Sequence, residues 1–224
     1  MKKVLFVCTG NTCRSPMAEA LLREMAGRNR LPVEVKSAGV SAISGIKPSP
    51  QAVQVLKEKG IAYEHESQSL TPQLIDWSDL VLSMTGAHKK MIVHQFPHSA
   101  GKVYTLKEYA LWGEGIDDIH QKLDRLYMEA ENKRAEIRKR FDLKADEPWS
   151  ETASLALDKA LQPLKKEEKK YLDRIRAARH LDVADPFGGD VDHYRKCAEE
   201  LKEYIVRIVD RWKQELPPSN SASE

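Results

Sequence analysis

The chain has 224 residues, 41% hydrophobic and 31% charged, and its 36 Lys and Arg against 34 Asp and Glu leave a net charge of +2. That is apolar material enough for a core in one large or two small domains, while the near balance of signs argues against a dedicated nucleic-acid or membrane surface. Three cysteines without framework spacing suit a reducing compartment, and no stretch has the length of a signal h-region or a membrane span, so a cytoplasmic location is expected.

The first element is the apolar run Val4, Leu5, Phe6 and Val7, which predicts a strand buried on both faces and ending at Cys8. After a short loop, Met17, Ala20, Leu21, Leu22 and Met25 recur at helical spacing, with Ser15 as the expected N-cap, Pro16 at the first helical position and Glu19 in the first turn. Cys8 to Ser15 therefore lies on a helix start, where unpaired N–H groups and the helix dipole favour an anion. Gly10 is expected to supply the turn geometry that lets successive N–H groups converge. The same field, with Arg14, favours the thiolate of Cys8, and the Arg14 guanidinium can grip two oxygens of a phosphate-like dianion. Cys-x5-Arg alone is a weak signal, since a buried Cys at a strand end is commonly a small packing residue. The strand, the Gly-containing loop and the helix around it carry the reading of a nucleophile.

Pro32 to Gly39 reads as a strand near the sheet edge, with Val33, Val35 and Ala38 set against Glu34 and Lys36. Pro48-Ser49-Pro50 starts a helix that turns Ala52, Val53, Val55 and Leu56 inward and ends at Gly60. Thr71 caps another helix containing Leu74, Ile75 and Trp77. Leu80 to Met84 is a buried strand, Ala87 to Phe96 a helix, and Lys102 to Leu106 a fourth strand. Ala87-His88-Lys89-Lys90 reads as a solvated helix face. The alternation predicts an α/β fold: an open four-stranded parallel sheet with helices on both faces and its ligand at the carboxyl ends of the strands. His94, His98 and His120 lack ligand spacing, and no metal or cofactor is implied.

From about Trp112 to Leu181 the composition changes. Ile116, Ile119, Leu123, Leu126, Ala130, Ile137 and Phe141 form one amphipathic stripe. Pro148 and Pro163 punctuate the remainder of this segment, so Ser150 to Leu161 and Lys165 to His180, with Tyr171, Leu172, Ile175 and Ala178, read as two further helices. Lys165 to Lys170 is a solvated stretch of mixed charge. Asp182 to Asp190, DVADPFGGD, is a turn-rich loop with three carboxylates, entering a last helix from Val191 to Glu215. The tail from residue 216 to 224 is expected to be disordered.

CTGNTCRSP followed by MAEALL resembles the signature loop of the low-molecular-weight protein tyrosine phosphatases, and more closely their bacterial protein arginine phosphatase branch. The resemblance implies the phosphotyrosine phosphatase I-like fold and a two-step phosphatase with phosphorylated proteins as substrate. Cys8 then becomes a phosphocysteine, and the loop Thr9, Gly10, Asn11, Thr12, Cys13, Arg14 and Ser15 binds the phosphoryl group. Asn11 and Ser15 hold the loop in shape, Ser15 donating toward the thiolate, and Ser37-Ala38-Gly39 supports it. Such chemistry needs a group that protonates the leaving atom and then activates water. The resemblance assigns that role to Asp185 and places Phe187 on the pocket wall; Asp182 and Asp190 are alternatives, Asp190 reading also as a helix cap.

Thr12 stands where the tyrosine phosphatases usually carry a bulkier aliphatic residue, which points to phosphoarginine, with phosphotyrosine as the second choice. Thioredoxin-linked arsenate reduction and an idle phosphate-binding adaptor are further readings. Cys197, inside a helix, offers no relay for the former. Cys13, five residues after Cys8, is either a redox partner that condenses with an oxidised Cys8 or a packing residue. The chain also departs from the family: residues 112–181 look inserted between the core segments 1–111 and 182–215, as a helical subdomain offering a possible protein contact.

Overall fold

Val4 to Val7 are wholly buried because their strand has a neighbour on each side and layers above and below. In a computed structural model of the chain, β1 (Lys2–Cys8) pairs in parallel with β2 (Val33–Gly39), aligning Cys8 with Gly39. On its other edge β1 pairs in parallel with β3 (Leu80–Ser83), which pairs with β4 (Val103–Thr105). The order β2-β1-β3-β4 makes β2 an edge strand, as its half-polar pattern predicts, and sends the connections leaving β1 and β2 to opposite sides of β1. A crevice opens at such a reversal, at the carboxyl ends of the strands, and Cys8 ends β1 there.

The helices are α1 (Arg14–Arg28), α2 (Pro50–Glu58), α3 (Pro72–Trp77), α4 (Gly86–Gln95), α5 (Leu106–Ala110), α6 (Asp117–Arg140), α7 (Glu151–Ala178) and α8 (Val191–Glu215), with a 3-10 turn over Pro97–Lys102. The structure describes residues 1–111, 117–144, 146–178 and 181–215, without the side chains of 117–120 and 174–178. Ile116, Ile119, His120, Ile175, Ala178, His180 and the tail 216–224 thus lie outside the described residues, in whole or for their side chains. No described helix is long and apolar enough to cross a membrane.

The described residues divide into two compact units. One comprises 1–91, 102–111 and 181–215 and holds the sheet. Its core packs β1 and β2 against α1, and α1 in turn against α8, through Met17, Leu21, Leu22, Leu201, Ile205 and Trp212. The other comprises 92–101 and the described part of 112–180, so it takes in a segment that the sequence places with the sheet. Here α6 packs on α7, burying Leu123, Leu126, Ile137, Ala153 and Leu161.

Several expectations are corrected. The two helices expected on either side of Pro163 are one, α7. Pro163 and Lys159 are both exposed, so the carbonyl that loses its amide partner can turn to water while strong helix formers on both sides carry the helix on. Val53, expected inward, is 42% exposed, because the buried face of α2 is the stripe Ala52, Val55 and Leu56. A short helix, α5, follows β4 where none was expected. Its signal is a capping box: the Thr105 hydroxyl accepts from the Glu108 amide while the Glu108 carboxylate accepts from the Thr105 amide.

Candidate active site

Every strand residue from Val4 to Cys8 is buried, so the sheet holds the Cys8 sulfur rigidly at the floor of the crevice. Its Sγ lies 3.0 Å from the Ser15 hydroxyl and accepts the Asn11 backbone N–H at 3.3 Å. Ser15 is expected to cap α1, but the helix begins two residues earlier than that, at Arg14, with Cys13 at the cap position and no side-chain cap bond. Ser15 lies within the first turn, and its hydroxyl is turned to Cys8. Glu19 lies beyond the first turn, buried.

The turn geometry expected of Gly10 belongs to Asn11, whose φ is 56°. A Cβ on Gly10 would make only ordinary contact with the Thr12 hydroxyl, at 3.6 Å. Asn tolerates the left-handed conformation, and here its side chain is used as well. Asn11 Nδ2 donates to the hydroxyls of Ser15 at 2.9 Å and Ser37 at 2.8 Å, and Oδ1 accepts the Gln68 amide at 2.9 Å. The glycine that the loop does require is Gly39, where a Cβ would lie 2.4 Å from the Thr9 carbonyl oxygen and 3.0 Å from the Asn11 nitrogen. Gly39 lets the end of β2 press against the loop.

Behind Asn11 lies a polar chain that sequence inspection missed. The Ser37 hydroxyl donates to Glu19 Oε2 at 2.6 Å, the same oxygen accepts from Tyr63 Oη at 2.8 Å, and Arg23 pairs with the other carboxylate oxygen. Tyr63 Oη lies 3.1 Å from His65 Nδ1, and His65 Nε2 lies 3.0 Å from the Asn11 carbonyl oxygen. Burial and the Glu19 carboxylate push the Tyr63 phenol well above its ordinary range, so it stays protonated and donates.

Arg14 is buried, and its Nη2 pairs with Asp185 Oδ2 at 2.6 Å across 171 residues of sequence. Its Nη1 donates to the Val183 carbonyl at 3.4 Å. Its Nε is buried with no hydrogen-bond partner among the described residues, a cost that an incoming anion oxygen would remove. The other Asp185 oxygen accepts the Phe187 amide at 3.2 Å. Cys8, Thr9, Gly10, Thr12, Cys13, Arg14, Asp185 and Phe187 line one cavity of about 230 Å³, with Phe187 77% exposed at its rim.

Asn11 and Ser15 thus brace the cavity from behind, while Asp182 and Asp190 serve elsewhere. Asp182 accepts the Gly86 amide at the start of α4, at 2.8 Å. Asp190 caps α8, accepting the amides of Asp192 and His193 at 3.0 and 3.1 Å.

The loop from Cys8 to Ser15, the helix behind it and the carboxylate brought to Arg14 have counterparts among known proteins. The family model for low molecular weight phosphotyrosine protein phosphatases matches residues 3–141. This chain belongs to that family. Among its relatives is the protein-arginine-phosphatase of Bacillus subtilis (strain 168), 45% identical over 212 residues covering 95% of this chain and 97% of the relative. The protein-arginine-phosphatase of Geobacillus stearothermophilus is 35% identical over 214 residues, covering 95% and 97%. Among solved structures, a Cys-to-Ser mutant of YwlE arginine phosphatase with a phosphorylated active-site serine superimposes with a TM-score of 0.64. It is 33% identical, over 95% of this chain and 97% of that one.

In this phosphatase the stretch Ala87 to Lys90 is not the solvated face expected of it, since His88 and Lys89 are buried. His88 Nε2 lies 2.9 Å from the Thr9 hydroxyl and Nδ1 lies 2.9 Å from the Thr85 hydroxyl. Burial, helped by the nearby Arg14 charge, lowers the His88 pKa to about 4. Cys13 is buried, with its Sγ 3.3 Å from Tyr194 Oη and 3.5 Å from the Thr12 hydroxyl. Burial and the contact with Cys13 raise the Tyr194 phenol to about 12, and burial raises the Cys197 thiol to about 12. No sequence spacing connects His88, Tyr63, His65 or Tyr194 to the loop.

Proposed function

We propose that this phosphatase removes phosphate from phosphoarginine on proteins. The observation that carries the reading is the single cavity shared by the Cys8 sulfur, the Arg14 guanidinium with its unpartnered Nε, and the Asp185 carboxylate. In the first step Cys8 Sγ attacks phosphorus, the bond from phosphorus to the guanidinium nitrogen breaks, and Asp185, as the acid, protonates that nitrogen. Phosphoryl oxygens arriving on Arg14 displace Asp185 from Nη2, which frees the carboxyl for the leaving group. Water then attacks the phosphocysteine while Asp185 takes its proton, and phosphate departs as the Cys8 thiolate re-forms. Arg14 and the loop amides hold the three equatorial oxygens as charge shifts between them.

The choice of phosphoarginine rests on the Thr12 side chain at the cavity wall and on the relatives named protein-arginine-phosphatases. Thr12→Ile is expected to shift the ratio of kcat/KM for matched phosphoarginine and phosphotyrosine peptides toward phosphotyrosine by about tenfold or more. An unchanged ratio would show that Thr12 does not select the substrate. Phosphotyrosine is the second reading, favoured by the exposed Phe187 ring at the rim, which a phenyl ring can pack against. Burst release of leaving group, present in the wild type and absent in Cys8→Ser, separates an enzyme from an adaptor. Arsenate reduction lacks a relay, since Cys197 is buried with its thiol raised to about 12.

The reducing compartment suggested by the cysteines makes the proposed location cytoplasmic, and residues 112–181 are proposed as an inserted helical subdomain offering a protein contact. Cys13 is proposed as a redox guard. Peroxide converts the Cys8 thiolate to a sulfenic acid, and the Cys13 thiol then displaces water to form a disulfide. Failure of thiol reductants to restore peroxide-treated enzyme would count against that role.

A further inference from the structure

His88 takes no part in the two-step reaction above, yet it is buried against the anion loop and touches the one loop side chain that combines exposure with a hydroxyl at the cavity, Thr9. The hydrogen bonds around it can be given a direction. Thr85 stands just before α4, and its hydroxyl oxygen accepts the His88 backbone N–H at 3.2 Å. The Thr85 hydroxyl proton is not used in that bond and can be donated to His88 Nδ1 at 2.9 Å. With Nδ1 accepting, the ring proton sits on Nε2 and is donated to the Thr9 oxygen at 2.9 Å. Thr9 Oγ1 then acts as acceptor toward His88, and its own proton is left for the cavity that Thr9 lines.

The surroundings favour an imidazole with one ring proton. Burial and the Arg14 charge both disfavour a second proton, against smaller opposing effects of Asp182 and Asp185. The same turn also holds the acid loop, because the Gly86 amide donates to Asp182, three residues before Asp185.

We infer that His88 is a positioning residue for phosphoryl transfer, oriented by Thr85, that holds Thr9 with its hydroxyl proton aimed into the cavity as a further donor to the bound phosphoryl group. The inference rests on the phosphatase reading of the site. It gives Thr9 a side-chain role in addition to its place on the loop backbone, and it makes the start of α4 part of the machinery that aligns substrate.

The test uses the full chain with Thr9→Val, Thr9→Ser, His88→Leu, His88→Gln and the double variant Thr9→Val with His88→Leu. Two quantities are read: kcat/KM on the substrate that the wild type turns over, and the dissociation constant of inorganic phosphate by calorimetry. Thr9→Val and His88→Leu are each expected to lower kcat/KM about tenfold and to weaken phosphate binding, the double variant being no worse than either single change. Thr9→Ser, which keeps the hydroxyl, and His88→Gln, which keeps an N–H donor at the level of Nε2, are expected to stay within about threefold of wild type. Losses that multiply in the double variant, or Thr9→Val matching the wild type in both quantities, overturn the inference. Thr9 is exposed, so the Val and Ser pair decides the matter even if His88→Leu folds poorly. A wild type that cleaves neither phosphoarginine nor phosphotyrosine defeats the substrate reading instead, and phosphate binding across the variants still decides the role of His88 and Thr9.

Discussion

Replacing Asn11 tests the architecture of the Cys8–Ser15 loop directly, because one buried residue combines a left-handed backbone with three side-chain hydrogen bonds. Asn11→Ala removes the bonds to Ser15, Ser37 and Gln68, which at a net value of about 1 kcal/mol each amounts to about 3 kcal/mol. It also places Ala at a φ of 56°, at a further cost of about 1 kcal/mol. Asn11→Gly loses the same bonds without the backbone term, so it should fall short of wild type by about 3 kcal/mol and exceed Ala by about 1 kcal/mol. The Ser15 hydroxyl, released from Asn11, would wander from the 3.0 Å contact with Cys8, so both variants should lose activity well beyond their loss of folded protein. Hydrogen exchange of the β1 amides measures the stability of the sheet unit apart from the helical one. Equal destabilisation by Ala and Gly would refute the backbone argument. Values within about 0.5 kcal/mol of wild type for both would refute the bridging role altogether.

At Gly39, Ala would bring a Cβ to 2.4 Å from the Thr9 carbonyl oxygen, a backbone atom that cannot turn aside. A loss of about 1–3 kcal/mol is expected, together with weaker phosphate binding, checked by urea unfolding and calorimetry; unchanged phosphate affinity would show that the loop can give. His88 adds a pH dependence. Its folded pKa of about 4 lies below the ordinary histidine value of 6.5, so unfolding takes up a proton between those values. The stability is complete above about pH 6.5, falls as pH drops toward 4 and levels off below. His88→Gln should flatten that slope in thermal melts from pH 7 to 4, and a slope equal to that of wild type would mean that His88 is already charged in the folded protein. Pro163→Ala should restore an amide donor to the Lys159 carbonyl within α7 and stabilise that helix by about 2–3 kcal/mol. Slower amide exchange on either side of residue 163 is the measurement, and faster exchange would mean that the proline braces the helix.

The parts of the site closest in sequence were the most legible. Val4 to Val7 had to be a strand buried on both faces because nothing polar interrupts them, and α1 is dictated by the spacing of Met17, Leu21 and Leu22. Within that segment, however, pattern reading misplaced the details. The left-handed position fell to Asn11 rather than Gly10, and Ser15 turned to Cys8 rather than to the helix start. Composition favours glycine and serine for those local tasks, whereas the outcome was decided by Ser37 and Gln68, which arrive from β2 and beyond to bond Asn11. Asp185 was reached through the family resemblance of Asp-Pro, since no local rule brings a carboxylate to an arginine 171 residues away.

Local physics is enough to dictate a parallel α/β chain with a cysteine at the end of its first strand and a helix start behind it. Hydrophobic period, helix caps and glycine punctuation act over a few residues, and they act before any distant contact exists. What only the tertiary structure decides is the company that the loop keeps: Glu19, Tyr63 and His65 behind Asn11, His88 on Thr9, Tyr194 on Cys13, and Asp185 on Arg14. Each of those contacts joins polar groups that either become buried or must be oriented, and a buried polar group is stable only beside a matching partner. Which partner arrives depends on the strand order and on the crossing of the chain at β1. That is why a run of histidine and lysine that reads as a solvated face became, in His88 and Lys89, part of the interior.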